Sequence, residues 1–151
     1  FLNTTGLTAD RIFTAAIAGL QEATAVKVMV VDDDLDWLRA IPKLLQPWGM
    51  KVTTLADPQQ FWTVLQSVNP DALVLDIKMP EINGFELCQV LRSDPQWQHL
   101  PILFLTAAQE AITQQQAFNV GADDYLWKPV MGGELAQRIR HRLARFQSLA
   151  L

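Results

Sequence analysis

Three consecutive aspartates, Asp32, Asp33 and Asp34, stand directly after an apolar run, and a fourth, Asp76, stands after another. Thr106 and Lys128 follow two further apolar runs in the same way. Carboxylates held about 4 Å apart repel one another by roughly 1 kcal/mol in water and by several times that in a partly buried site. Such a cluster calls for a cation or a proton. Oxygen-only ligands with room for water suit Mg²⁺, which favours octahedral geometry and keeps part of its hydration shell. A carboxylate beside that ion can attack a phosphoryl group, because it is anionic yet weakly basic and the ion offsets repulsion from the phosphate. The lysine would pair with one phosphoryl oxygen as a point charge, and the threonine hydroxyl would donate a hydrogen bond to another. Each residue alone has a plainer meaning: a helix N-terminus decorated with negative charge, a surface lysine before a turn, a threonine at a strand end.

These residues can meet only if the elements before them lie side by side. From Val26 onward, short apolar runs alternate with stretches of helical periodicity, which predicts an α/β fold around a parallel sheet. The runs Val26–Val31, Lys51–Leu55, Ala72–Leu75, Ile102–Leu105 and Asp124–Trp127 are nearly continuous in apolar character, as strands buried on both faces are. Helices are predicted over Leu35 to about Gln46, Pro58–Ser67, Phe85–Leu91, Glu110–Asn119 and Gly133–Phe146, wound onto both faces by right-handed crossovers. Asp57-Pro58 supplies an N-cap followed by proline at the first helical position, and Asp34 is a further candidate cap. Pro42 falls inside the first predicted helix and is expected to kink or shorten it. In such a sheet, ligands bind beyond the carboxyl ends of the strands, which is where Asp32, Asp33, Asp76, Thr106 and Lys128 all fall.

The chain has 151 residues, half of them hydrophobic and 19% charged, with a net charge of −4. That length fits one core, and the composition is that of a globular domain. The charge gives no general attraction to nucleic acid or anionic lipid. No apolar stretch reaches the roughly 18–20 residues of a membrane-spanning helix, and a single cysteine, Cys88, excludes an intrachain disulfide. A cytoplasmic location is expected. Ahead of the first strand, Ala9, Ile12, Phe13, Ala16, Ile17 and Leu20 recur at helical spacing. Residues 1–25 are therefore read as an amphipathic helix and linker, the end of an upstream domain, since the first residue is Phe1 and not Met. Ile12–Leu20 with Ala23-Thr24-Ala25 also resembles a cleavable leader but lacks its basic start.

Taken together, Val30-Val31-Asp32-Asp33-Asp34, Leu75-Asp76-Ile77-Lys78-Met79-Pro80 with Gly84, Leu105-Thr106-Ala107 and Tyr125-Leu126-Trp127-Lys128-Pro129 resemble the signature of the response regulator receiver domain, the chemotaxis-regulator-like superfamily of two-component signalling. The likeness runs from about Val26 to Phe146 and places a receiver over residues 26–147, with a tail at 148–151. It implies a flavodoxin-like sheet in the order 2-1-3-4-5, here with an extra N-terminal helix. It also implies a phosphoacceptor domain, not an enzyme, that takes a phosphoryl group onto Asp76 from a histidine kinase or histidine phosphotransfer protein. By the same resemblance, Asp33, Asp76 and the Lys78 carbonyl bind Mg²⁺ directly and Asp32 acts through water. Thr106 and Lys128 engage the phosphoryl group, Pro129 follows a cis peptide bond, and Tyr125 is the switch aromatic, turning from a solvent-facing to a buried position. Lys78 and Ala108 occupy the family's variable positions, which influence phosphoryl lifetime. The partners implied are the phosphodonor, an effector domain in the same longer chain or in a partner protein, and a second receiver in a dimer.

Three other functions compete. Asp32-x-Asp34 resembles the aspartate pair of haloacid-dehalogenase-type enzymes, but there the lysine precedes the final acidic pair, whereas Asp123-Asp124 precede Lys128. A pseudo-receiver that serves only as a binding module would usually lack one of these site residues, and none is missing. Arg138, Arg140, Arg142 and Arg145 in the last predicted helix raise nucleic-acid binding, yet no DNA-reading motif accompanies them. Neither direct nucleic-acid binding nor membrane association is expected of this segment.

Overall fold

The computed structural model describes residues 25–107 and 111–150, the side chains of 111–113 and 145–150 aside. The N-terminal helix predicted around Ala9–Leu20 and the variable position Ala108 lie outside the described residues. Five strands form the sheet: β1 (Val26–Val31), β2 (Met50–Leu55), β3 (Ala72–Leu75), β4 (Ile102–Thr106) and β5 (Asp124–Trp127). All neighbours are parallel, in the order β2-β1-β3-β4-β5. The helices are α1 (Leu35–Leu45), α2 (Phe61–Val68), α3 (Gly84–Ser93), α4 (Ala111–Asn119) and α5 (Gly132–Ala150).

Alternation along the strands divides the apolar residues between two layers, because successive side chains point to opposite faces. Val28 and Val30 of β1, Leu103 and Leu105 of β4 and Leu126 of β5 meet Leu38, Ile41 and Leu45 of α1 and Leu135, Ala136 and Ile139 of α5. Met29 and Val31, Leu73 and Leu75, and Phe104 face the other way, onto Phe61 and Leu65 of α2, Leu87 and Leu91 of α3 and Ala117 of α4. Burial on both faces is why these strands read as unbroken apolar runs. The edge strand β2 is more open, with Lys51 exposed and Val52–Thr54 only half-buried.

The local signals act as the sequence requires, with shifts at the ends. Asp34 caps α1, its side chain accepting from the backbone N–H groups of Asp36 and Trp37 at 3.1 and 3.2 Å. The helix passes Pro42 and stops at Leu45, where a 3₁₀ turn, Gln46–Trp48, takes over. Pro42 cannot donate to the Leu38 carbonyl, but its own carbonyl accepts from Gln46. Asp57 caps a 3₁₀ turn, Pro58–Gln60, and the α-helical part predicted from Pro58 begins only at Phe61. Thr106 is the last residue of β4, not the first beyond it, and α5 runs through the proposed tail as far as Ala150. At Gly132, a β-carbon would sit 2.5 Å from the Leu44 carbonyl oxygen, so the start of α5 can approach α1 only without a side chain.

Candidate functional site

The ends of β1, β3, β4 and β5 converge on one pocket. Asp32, Asp33 and Asp76 bring carboxylate oxygens within 4.8 Å of one another, Asp32 and Asp76 being buried and Asp33 exposed. Both Asp32 oxygens are engaged, one by the Asp34 backbone N–H at 2.9 Å and the other by the Lys128 ammonium at 2.6 Å. The Asp76 carboxylate accepts from the Ile77 backbone N–H at 2.8 Å and from the Thr106 hydroxyl. Lys128 is held at its backbone by an N–H bond of 2.9 Å to the Thr106 carbonyl, which extends the β4–β5 pairing into the site. The Lys128-Pro129 peptide is cis.

The charge in this pocket is under-compensated. Burial and then repulsion from Asp32 push the Asp76 carboxyl up to about 6, against the pull of Lys128, the Thr106 hydroxyl and the Ile77 N–H. Three carboxylates facing one lysine form an oxygen-only donor set with an excess of negative charge, the kind of site that a hard divalent cation fits.

The loop between β3 and α3 is folded tightly against this cluster. Lys78 and Asn83 form an antiparallel bridge, the Gly84 N–H donates to the Ile77 carbonyl at 2.8 Å, and Asn83 caps α3 through the Phe85 N–H at 2.8 Å. Within it the Ile82 N–H reaches back to the Pro80 carbonyl at 2.8 Å around Glu81, whose φ is +69°. That is a γ-turn of the strained kind. The Gln59 side chain donates to the Glu81 carboxylate at 2.7 Å from the neighbouring loop. Gly84 is needed for close approach, since a β-carbon there would lie 2.4 Å from the carbonyl oxygen of Asp76.

Tyr125 is buried in this structure, the inward of the two positions expected for it, with its ring edge-on to Trp127 at 5.6 Å. It lies in the same apolar layer as Phe104 and Ala117. A cleft of about 670 Å³ opens beside it, lined by Phe118, Trp127, Lys128, Arg138 and Arg142 among others. Arg138 and Arg142 are not a free basic face: they lie 3.1 and 3.5 Å from the buried carboxylate of Asp124 at the start of β5. Arg140 donates to the Trp48 carbonyl, and the Arg145 side chain is outside the described residues. The i, i+4 spacing of Arg138 and Arg142 places both on one face of α5, a signal for a shared acidic partner that charge counting overlooks. Trp37 and Trp127 lie near the site in sequence, but the contact of Trp37 with Lys128, whose ammonium is 5.8 Å from its ring centroid, was not legible there.

Known proteins are similar to this chain in sequence and in fold. The sequence profile described as the response regulator receiver domain matches residues 28–140. Protein RcaC of Microchaete diplosiphon is 69% identical over 124 residues, which are 82% of this chain and 19% of that protein. The DNA-binding response regulator MtrA of Mycobacterium leprae is 34% identical over 119 residues, 79% of this chain and 52% of that protein. The chain thus spans about a fifth of the first relative and about half of the second. Among solved structures, the Vibrio cholerae chemotaxis protein CheY4 is similar with a TM-score of 0.71 and 30% identity, covering 78% of this chain and 98% of its own. The Francisella response regulator 1452 receiver domain is similar at 0.71 and 29%, covering 80% and 98%. With the matched profile running from within β1 through β5 and over the whole acidic pocket, this chain belongs to the response regulator receiver domains, a family of signalling domains.

Proposed function

We propose that this domain accepts a phosphoryl group on Asp76 from the phosphohistidine of a histidine kinase or histidine phosphotransfer protein. One Asp76 oxygen attacks phosphorus as the phosphorus–nitrogen bond breaks. The electron pair stays with the departing imidazole, which takes up a proton, and an acyl phosphate remains on Asp76. The observation that carries this reading is the convergence of Asp32, Asp33 and Asp76 within 4.8 Å, with Lys128 already 2.6 Å from Asp32. Mg²⁺, when bound, would supply charge neutralisation for an anionic nucleophile meeting an anionic donor. Asp33, Asp76 and the Lys78 carbonyl are its direct ligands in this reading. The engagement of both Asp32 oxygens by protein donors supports a role for Asp32 through water.

The remaining residues divide the work on the phosphoryl oxygens. Lys128 moves from Asp32 to one oxygen, and the Thr106 hydroxyl, now on Asp76, turns to another. A displaced Thr106 holds Tyr125 in the inward position it occupies here and so fixes the surface of α4, β5 and α5. That surface, with its cleft, passes the state on to an effector in a longer chain or a partner protein, or to a second receiver. The domain spans 26–147, acts in the cytoplasm and turns over its own acyl phosphate slowly at most.

Intact-mass measurement with Mg²⁺ and acetyl phosphate tests the acceptor. One added phosphoryl group is expected on the unaltered protein and none on Asp76→Asn. Equal labelling of the two would exclude Asp76.

A further inference from the structure

Trp37 stands in the first turn of α1, where the Asp34 cap accepts its backbone N–H at 3.2 Å. Its ring packs on the apolar layer beneath α1 and α5. The Lys128 ammonium lies over the ring, 5.8 Å from its centroid, and 2.6 Å from the Asp32 carboxylate. Lys128 is therefore in reach of both a carboxylate and a π face, with its side chain only 15% exposed. Limited hydration strengthens attraction to a ring face, which acts out to about 6 Å from the centroid. The indole N–H is buried and meets no protein acceptor, so packing of the ring rather than a bond at its edge sets its orientation.

A lysine that leaves Asp32 for a phosphoryl oxygen on Asp76 needs a support that tolerates movement. A hydrogen bond ties the ammonium to one point, whereas attraction to the ring quadrupole is spread across the face. The four-carbon lysine stem is flexible enough to swing over it. We propose that Trp37 is a positioning residue whose indole face keeps the Lys128 ammonium over the pocket, both when it pairs with Asp32 and when it pairs with the phosphoryl group. The inference rests on the receiver reading above and concerns a residue outside the acidic cluster.

The test compares initial rates of Asp76 labelling by acetyl phosphate, at saturating Mg²⁺, in the unaltered protein, Trp37→Leu, Trp37→Phe, Lys128→Met and the Trp37→Leu, Lys128→Met double variant. Trp37→Leu is expected to lower the rate about fivefold, because an ammonium without the ring face is over the pocket for only a minor share of the time. Trp37→Phe keeps a π face and should stay within about twofold of the unaltered protein. With Lys128 replaced by Met, removing the indole should change nothing more. An equal loss in both Lys128 backgrounds would show that Trp37 acts through the fold, and a Trp37→Phe rate as low as that of Trp37→Leu would assign the effect to the N–H; either result overturns the proposal. Failure of the unaltered protein to label at Asp76 would instead remove the proposed phosphoacceptor role itself. Labelling that is indifferent to Trp37→Leu would remove only the role of Trp37.

Discussion

The two ends of the sheet each hold a cluster of opposite charges, and they are built on opposite plans. At the amino ends of β4 and β5, Arg92 reaches from α3 to the carbonyls of Gln98, Leu100 and Gly121 at 3.1, 2.7 and 2.8 Å, and to the Asp123 carboxylate at 2.8 Å. Asp123 in turn accepts from the Ile102 backbone N–H at 2.8 Å. The guanidinium fork is well suited to such a junction, which ties α3 to the segments leading into β4 and β5. At the carboxyl ends, three carboxylates lie together, one lysine pairs with Asp32, and the Asp76 carboxyl is raised to about 6. A satisfied cluster stabilises a junction, whereas an under-compensated one holds charge ready for a ligand. Burial alone does not tell them apart; the balance of donors against acceptors does.

The largest effect is expected where that balance is complete. Arg92→Met removes the donors shared by three carbonyls and one carboxylate, so unfolding free energy in urea should fall by about 2–4 kcal/mol. A loss under 1 kcal/mol would mean that the junction is as replaceable as a surface ion pair.

The opposite sign is expected at the other end. The Asp76 carboxyl has its folded-state pKa raised above the ordinary 3.8 to about 6. The folded protein therefore holds this proton more tightly than the unfolded chain, and Asp76 costs stability progressively as pH rises from about 4 to 6. Without divalent cation, Asp76→Asn should be more stable than the unaltered protein by about 1–2 kcal/mol at pH 7, and the difference should vanish near pH 4. Parallel urea titrations at these two pH values, with chelator present, measure it directly. Mg²⁺ should narrow or reverse the gap at pH 7, because it stabilises the folded protein that binds it. Destabilisation by Asp76→Asn at pH 7 would mean that the carboxylate is fully compensated.

The smallest effect belongs to an intermediate cluster, in which the buried Asp124 meets Arg138 at 3.1 Å and Arg142 at 3.5 Å. Arg142→Ala leaves Arg138 in place and should cost no more than about 1 kcal/mol in thermal or urea unfolding. A cost nearer 3 kcal/mol would make Arg142 the principal partner of Asp124 and place this cluster beside that of Arg92.

Much of this was already determined by the chain order of residue types. Short apolar runs alternating with stretches of helical period favour strands between helices, so the α/β class follows from patterning, and the open edge strand β2 is the weakest of the five in that pattern. An aspartate, a threonine or a lysine directly after such a run must emerge at a strand's carboxyl end, which fixes the candidate pocket by topology alone. The Asp34 and Asp57 caps were legible because capping depends on residues two or three apart. The 3₁₀ start before Phe61 was not, since propensity does not separate the two helix types over a single turn.

What the tertiary structure decided is which charges meet. Arg138 and Arg142 read as a basic face until β5 delivers Asp124 beneath them, and Arg92 is 31 residues from Asp123, its ion-pair partner. Trp37 and Lys128 are brought together only by the packing of α1 beside the end of β5. Local sequence carries secondary structure because its forces act within a turn or a strand. Charge compensation depends on crossovers that join distant residues, and it becomes definite only when the sheet has closed its order.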